Sequence, residues 1–454
     1  MKNIKSYIKY KPSRVDWLAS IPEHWNVKRI KYVFKEMDAR SESGKETLLS
    51  VSHYTGVTKK SDKVADGASL TNAETLVGYK IVNKGDLVIN IMLAWNGSLG
   101  ISKFHGITSP AYCVYKCLID AEGYFGYLFR TKIAQQEFKK QSTGIIDSRL
   151  RLYSDKFFNI KTVIPPREEY LTIVCFLDYK VSLIDRFIRK KKEFIKLLNE
   201  QKAKIINHAV TKGVTKNAKM NPSGIEWLGN IPASWMIKKL KYSVRLNPHK
   251  NFESNDSNEV KIALENIEGK TGRILELNPS SFEGTGTIFK AGDVLFGKLR
   301  PYLAKVASPN FEGSCVSDIL VLTPNLDVWD HEFLKYRMLA SDFISIINNS
   351  TYGAKMPRAS WDFIGGLKIS CPPLDEQKAI VSSIEFEQKS INALITKIEK
   401  EITLIEEYKI SLITEVVTGQ IDVRGYEVPN IIREELIKED DLEIEEILNG
   451  DIES

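Results

Sequence analysis

Val15-Asp16-Trp17-Leu18, Ile21-Pro22 and Trp25, followed by Val27-Lys28-Arg29-Ile30-Lys31-Tyr32, recur as Ile225-Glu226-Trp227-Leu228, Ile231-Pro232 and Trp235, followed by Ile237-Lys238-Lys239-Leu240-Lys241-Tyr242. The shift is 210 residues. Further along, Gly85-Asp86-Leu87-Val88 returns as Gly292-Asp293-Val294-Leu295, and Pro165-Pro166 with Glu168-Glu169 returns as Pro372-Pro373 with Asp375-Glu376, now at a shift of 207. A period near half of a 454-residue chain is far longer than the roughly 20 to 50 residues of a stacked solenoid repeat. Two large, similarly folded units therefore share one polypeptide. Trp17, Trp25, Trp227 and Trp235 read as anchors that pack each opening motif onto its unit.

After each double proline, residues 168–211 and 375–418 run without Gly or Pro, which predicts two long helices, since proline suits a helix start and no breaker interrupts either segment. Apolar side chains recur at steps of three and four: Ile173, Leu177, Ile184, Ile188, Ile195, Leu198, Ile205 and Ala209 in the first, Ile380, Ile384, Ile391, Ile395, Ile402, Ile405, Leu412 and Val416 in the second. A seam of that period is a coiled-coil signal. The first segment carries nine basic and six acidic residues, the second five and nine, so opposite charge flanking the seams favours pairing of the two with each other. At 1.5 Å per residue each helix is about 60 Å long, comparable with one to two turns of duplex DNA at about 34 Å per turn.

The globular parts mix short β-like stretches, 47–52, 86–92 and 111–117 in one half and 260–264, 293–296 and 315–322 in the other, with turns such as Asn83-Lys84-Gly85-Asp86 and Lys290-Ala291-Gly292-Asp293. This predicts two sheet-rich domains of mixed α/β (α+β) class, with the two long helices paired with each other. Equivalent loops after the turns differ in chemistry: Leu93-Ala94-Trp95-Asn96-Gly97-Ser98 against Gly297-Lys298-Leu299-Arg300-Pro301-Tyr302. Features shared by both copies suit scaffold or common docking. Features that differ suit separate recognition tasks, and amide, basic and aromatic side chains are the usual readers of nucleic acid. Gly144 and Gly353 are each followed five residues later by arginine, Arg149 and Arg358, in loops that also hold Arg151 and Lys355. Trp95, Asn96, Arg149, Arg151, Lys298, Arg300, Tyr302, Lys355 and Arg358 are the candidate DNA contacts.

The net charge of +6 hides an asymmetry: residues 433–454 hold ten acidic and two basic side chains, leaving +14 on the rest. A basic body with an acidic tail invites a polyanionic partner. No apolar run approaches the roughly 20 residues of a membrane span, and Met1-Lys2-Asn3-Ile4-Lys5 lacks an apolar signal core, so the expected location is cytoplasmic. Five scattered cysteines, Cys113 and Cys117 among them, form neither a disulfide framework nor a four-ligand zinc pattern. The sequence contains no Gly-x-x-x-x-Gly-Lys-[Ser/Thr] loop for ATP, no Asn-Pro-Pro-aromatic or Asp-Pro-Pro-aromatic tetrapeptide of amino-methyltransferases, and only six dispersed histidines. Neither a cofactor nor a metal is expected in this chain.

With those features in place, residues from about Pro12 to Arg424 resemble the specificity subunit of type I restriction-modification enzymes. The motifs that carry the resemblance are Trp17-Leu18 with Ile21-Pro22 and Trp25, Gly85 to Gly100, Gly292 to Leu303, the two Pro-Pro segments, and the helix ends Val210-Thr211 and Val416-Val417-Thr418-Gly419. The resemblance implies a non-catalytic host-defence subunit that binds double-stranded DNA, each target recognition domain reading one half of a gapped site and the two arranged pseudo-symmetrically around an antiparallel coiled coil of the two long helices. It implies two methyltransferase subunits supplying S-adenosylmethionine-dependent adenine methylation, and restriction subunits using ATP and Mg. On this reading residues 1–163 and 213–371 are the recognition domains, 164–212 and 372–420 the long helices, and 421–454 an acidic tail. Two other functions fit parts of the pattern: a coiled-coil scaffold bridging proteins without reading DNA, and a self-contained nuclease or methyltransferase whose site residues are scattered.

Overall fold

The computed structural model describes residues 5–63, 73, 75–146, 149–215, 217–251, 260–275, 286–351 and 356–426. Two compact units divide the chain, residues 1–189 with 402–454 and residues 190–401, called here the first and second unit.

Each unit is built on the same four-stranded antiparallel sheet. In the first unit the order is Phe34–Met37, Tyr112–Cys117, Leu87–Asn90, Leu99–Ile101. In the second it is Val244–Leu246, Ile319–Pro324, Val294–Gly297, Val306–Ala307. The central strands are apolar on both faces because both faces are covered. Leu87 and Ile89 point into the main core with Phe125 and Phe157, whereas Val88 between them joins Leu49, Val51 and Val57. Val294 and Phe296 face the core of Trp329 and Phe343, while Leu295 faces Ile262, Phe289 and Cys315. The alternation is the period of two that a pleated strand imposes. Each central strand is launched by the same turn: Asp86 Oδ2 accepts from Asn83 N and Asp293 Oδ2 from Lys290 N, both at 2.8 Å, and the glycines before them have φ of +93° and +86°.

Beside this sheet both units carry a second set of pairings in the same succession. In the first, Arg40 bridges to Lys80, Lys80–Val82 pairs antiparallel with Gly106–Thr108, and Ile107 bridges in parallel to Leu48, with a hairpin of Leu49–Ser52 and Gly56–Lys59 following. In the second, the order is Lys250–Asn251, Gly286–Phe289, Gly313–Cys315, Lys261–Ile262, its last pair parallel. Residues 315–322, which the sequence suggests as one strand, are two strands separated by a turn at 316–318.

The predicted helices are present as α1 (Arg167–Lys212) and α2 (Leu374–Val417). The opening motifs are tied to the residues just before them: Asn26–Arg29 pairs with Lys161–Ile164, and Met236–Lys239 with Lys368–Cys371. Buried Trp25 donates from Nε1 to Glu169 Oε1 at 2.8 Å, and Trp235 to Glu376 Oε1 at 2.9 Å, so the same indole holds a first-turn carboxylate in both copies. Trp17 donates to the Lys161 carbonyl, and Trp227 packs on Phe343 with the Arg337 guanidinium 5.3 Å from its ring. All four tryptophans are the anchors the repeat suggests.

The helix pair is antiparallel inside each unit. In the first, the start of α1 shares the Trp25 site with the end of α2, where Tyr124 donates to the Val417 carbonyl at 2.9 Å. Gly419, at φ +74°, approaches so closely that a Cβ there would lie 2.5 Å from Pro22 Cδ. In the second, Gly213, also at φ +74°, follows α1 against Trp235 and Glu376. Asp185 pairs with Lys409 at 2.6 Å within the first unit and Lys191 with Glu401 at 2.9 Å within the second, bonds of the charge pattern that the sequence suggests. Ile173, Leu177, Ile188, Leu198, Ile380, Ile384, Ile391, Ile395, Ile402, Leu412 and Val416 are buried as the seam requires. Ile184, Ile195, Ile205 and Ile405 are only half-buried. At the end of α1 the buried residue is Ile206 in place of Ile205, and on α2 the expected series omits Gln388 and Ile398, both buried. Residues 421–426, grouped by sequence with the tail, pack into the first unit, Tyr426 edge-on to Phe176 at 4.7 Å.

Glu169 also accepts from Tyr7 Oη at 2.5 Å and meets His24 Nε2 at 2.7 Å. Burial, and then the Glu169 carboxylate, push the Tyr7 hydroxyl well above its usual range, so it remains a donor. Glu169→Ala strands these groups and should cost about 3 kcal/mol, against about 1 kcal/mol for Glu376→Ala, which strands one indole. Urea unfolding followed by tryptophan fluorescence measures both, and equal losses would contradict the difference. Since Tyr7 holds its proton in the folded state beyond the unfolded value of about 10, its contribution is complete below that pH and fades above it.

Candidate nucleic-acid interface

In both units, the segment leaving the central strand meets the segment that precedes the last short helix. In the first unit, Leu93 N and Met92 N turn back onto Asn90 (3.0 Å to its carbonyl, 3.2 Å to Oδ1), and Ala94–Asn96 forms one 3-10 turn. Gly97 ends it at φ +82° with Gln135 Nε2 2.6 Å from where a Cβ would stand. This turn displays Asn96 to solvent and holds Trp95 half-exposed, its Nε1 donating to the Met92 carbonyl at 3.1 Å. Lys139, from the helix Lys132–Gln141, lies 5.1 Å above the Trp95 ring. Thr143 and Arg151 exchange backbone hydrogen bonds, and Leu152 N donates to the Ile91 carbonyl at 2.9 Å. Arg151 thereby sits beside the Trp95 turn, donating to the Arg149 carbonyl and reaching Met92 Sδ at 3.7 Å, with Arg149 exposed.

The second unit repeats the construction. Ala359 N donates to the Lys298 carbonyl at 2.9 Å and Arg300 N to the Pro357 carbonyl at 2.8 Å. Arg300 adopts φ +51°, and Pro301–Leu303 forms the 3-10 turn that displays Tyr302. Arg358 Nη2 lies 3.2 Å from Asp318 Oδ1. The paired backbone bonds, Leu152 to Ile91 and Ala359 to Lys298, fix a shift of 207 between the copies. Trp95 is therefore the counterpart of Tyr302, and Arg151 of Arg358. The Gly-to-Arg spacing shared by Gly144–Arg149 and Gly353–Arg358 in the sequence does not follow this shift; Gly353 lies outside the described residues.

Of the sequence-chosen residues, Trp95, Asn96, Arg149 and Arg151 come together in the first unit, and Lys298, Arg300, Tyr302 and Arg358 in the second. Lys355 lies outside the described residues. Sequence reading missed Lys139, which stands on a helix far from Trp95 in the chain, and Asp318, concealed in a stretch that reads as continuous strand.

Each cluster presents an aromatic face beside guanidinium or ammonium groups. That combination stacks on bases and makes paired hydrogen bonds to phosphate or to a guanine edge. Burial pushes the thiols of Cys113 and Cys117 up, the opposite of what a nucleophile or metal ligand needs. Among the described residues no group of three or more His, Cys, Asp or Glu is placed to hold a metal ion, and no helix is long and apolar enough to cross a membrane.

The fold is a duplicated module, each unit holding its own stretch of the two long helices. The resemblance seen in the sequence holds: the chain is similar to specificity subunits of type I restriction enzymes. It is 26% identical over 433 residues to the MjaVIII specificity subunit of Methanocaldococcus jannaschii, covering 89% of this chain and 95% of that protein. It is 22% identical over 333 residues to the EcoDI specificity subunit of Escherichia coli, covering 69% of this chain and 72% of the relative. A solved chain described for complex assembly and conformational transition of a type I R-M system shares the fold at a TM-score of 0.59 and 15% identity, covering 88% of this chain and 99% of that one. No family model matches.

Arg151→Ala and Arg358→Ala should each weaken duplex binding, and whichever of them removes a phosphate interaction should flatten its dependence on log salt by about one. Fluorescence anisotropy between 50 and 200 mM salt, as rough working limits, measures this. Unchanged affinity and slope in both variants would remove these loops from the interface.

Proposed function

We propose that this chain is the non-catalytic, sequence-specific DNA-binding subunit of a type I restriction-modification complex, each recognition domain reading one part of a gapped site. The observation that carries the reading is the doubled surface: the same backbone frame, at a shift of 207, holds an aromatic and an arginine in each copy with different chemistry around them. A shared frame with divergent side chains is what two separate base-reading tasks require. The names of the curated relatives support the same function and leave the scaffold-only and self-contained-enzyme readings without support.

Residues 1–163 and 213–371 act as the recognition domains, and the helices of 164–212 and 372–420 set their spacing. The partners are double-stranded DNA, two methyltransferase subunits that use S-adenosylmethionine, and restriction subunits that use ATP and Mg. This chain supplies the address and holds none of those cofactors.

Replacing residues 1–163 with the corresponding region of another specificity subunit should change one half of the methylated site and leave the other half intact. Methylation mapping of the hybrid in a restriction-deficient cell reads both halves at once. A change in both halves would contradict independent reading by the two domains.

A further inference from the structure

Arg151 and Arg358 hold equivalent places in different electrostatic settings. Arg358 Nη2 lies 3.2 Å from Asp318 Oδ1. Asp318 belongs to the turn between Gly313–Cys315 and Ile319–Pro324, and its own carbonyl accepts from Lys298 N at 2.9 Å, so it is locked to the loop that displays Arg300 and Tyr302. Its side chain is 26% exposed, that of Arg358 57%. Position 111, 207 residues earlier, is alanine. Arg151 instead donates to the Arg149 carbonyl and lies against Met92.

A carboxylate on a surface that receives DNA repels phosphate. A guanidinium serving only as a phosphate counter-charge gains nothing from such a neighbour, since phosphate accepts it from many directions. Reading guanine is a different demand, because two N–H groups must be presented in one plane to O6 and N7. The base edge carries no formal charge, so the neighbouring acid costs less there and fixes the plane of the fork. Asp318 faces only the Nη2 side of the guanidinium as an ion pair at 3.2 Å, so the fork keeps N–H groups to present to a base edge.

We infer that Asp318 is a positioning residue that orients Arg358 toward a guanine edge, and that the half-site read by residues 213–371 contains that guanine. The inference rests on the DNA-reading function proposed above and adds the base and the residue that aims its reader. Arg151, with alanine at the position equivalent to Asp318, serves the DNA backbone.

The test uses the full-length chain, tagged in its native cell, recovered with its associated subunits and selected on randomised duplexes as wild type, Asp318→Asn, Arg358→Lys and Arg151→Lys. The wild type should enrich a two-part motif with guanine in one half. Asp318→Asn and Arg358→Lys should each lower the preference at that single position by about ten-fold or more, with the other half unchanged and, for Asp318→Asn, the same salt slope. Arg151→Lys should leave every base preference in place. A uniform gain in affinity in Asp318→Asn with guanine still selected would overturn the inference. Loss of the whole half-motif in Asp318→Asn would show a role in folding and would overturn it equally. A wild-type complex that enriches no two-part motif would sink the DNA-reading function itself, and the inference with it.

Discussion

A tryptophan donating to a glutamate in the first turn of a long helix is the contact on which each unit depends. The indole of Trp25 or Trp235 comes from the opening motif, whose next strand pairs with the one leading into the helix, so the bond joins three parts of the chain at one buried point. Glutamate there also suits the positive end of the helix dipole. The glycine that closes the antiparallel partner packs against the same tryptophan, and a larger residue would push the helix end away. The direction of each helix relative to its own sheet is set at this site. In the first unit Tyr7 and His24 share the carboxylate, whereas Asn217 and Ser234 stand at the corresponding shift of 210.

Given that frame, the loops beyond the central strand are free to diverge. Strand, launching turn and receiving backbone bond are the same in both copies, and they deliver residues 207 apart to matching places. The chemistry at those places differs: tryptophan under a lysine in one, tyrosine beside an arginine paired with aspartate in the other. A frame that fixes position and leaves chemistry open is how one architecture serves many targets.

The two-unit organisation, the long helices and most of the helix seam were legible in the sequence, because repeats and three-four periodicity survive as spacing. Ile205 was misplaced against Ile206 because both are apolar neighbours and only packing decides which faces the partner. The loops carrying Trp95, Arg151, Tyr302 and Arg358 were legible as divergence between copies. Their exact correspondence was not, since it depends on the backbone bonds of Leu152 and Ala359, which leave no residue signature. Asp318 was hidden for a related reason: Cys315-Val316-Ser317-Asp318-Ile319 reads as strand, and the turn that interrupts it is imposed by the tertiary fold.

If this chain gives a methylating complex its address, deleting its gene should remove methylation from one gapped, two-part motif and from no other. Single-molecule sequencing of adenine methylation in the native cell, with and without the gene, reads that outcome without intermediate steps. Loss of the one motif is the expected result. An unchanged methylome, in a cell confirmed to express the chain and its partners, would contradict the proposed role.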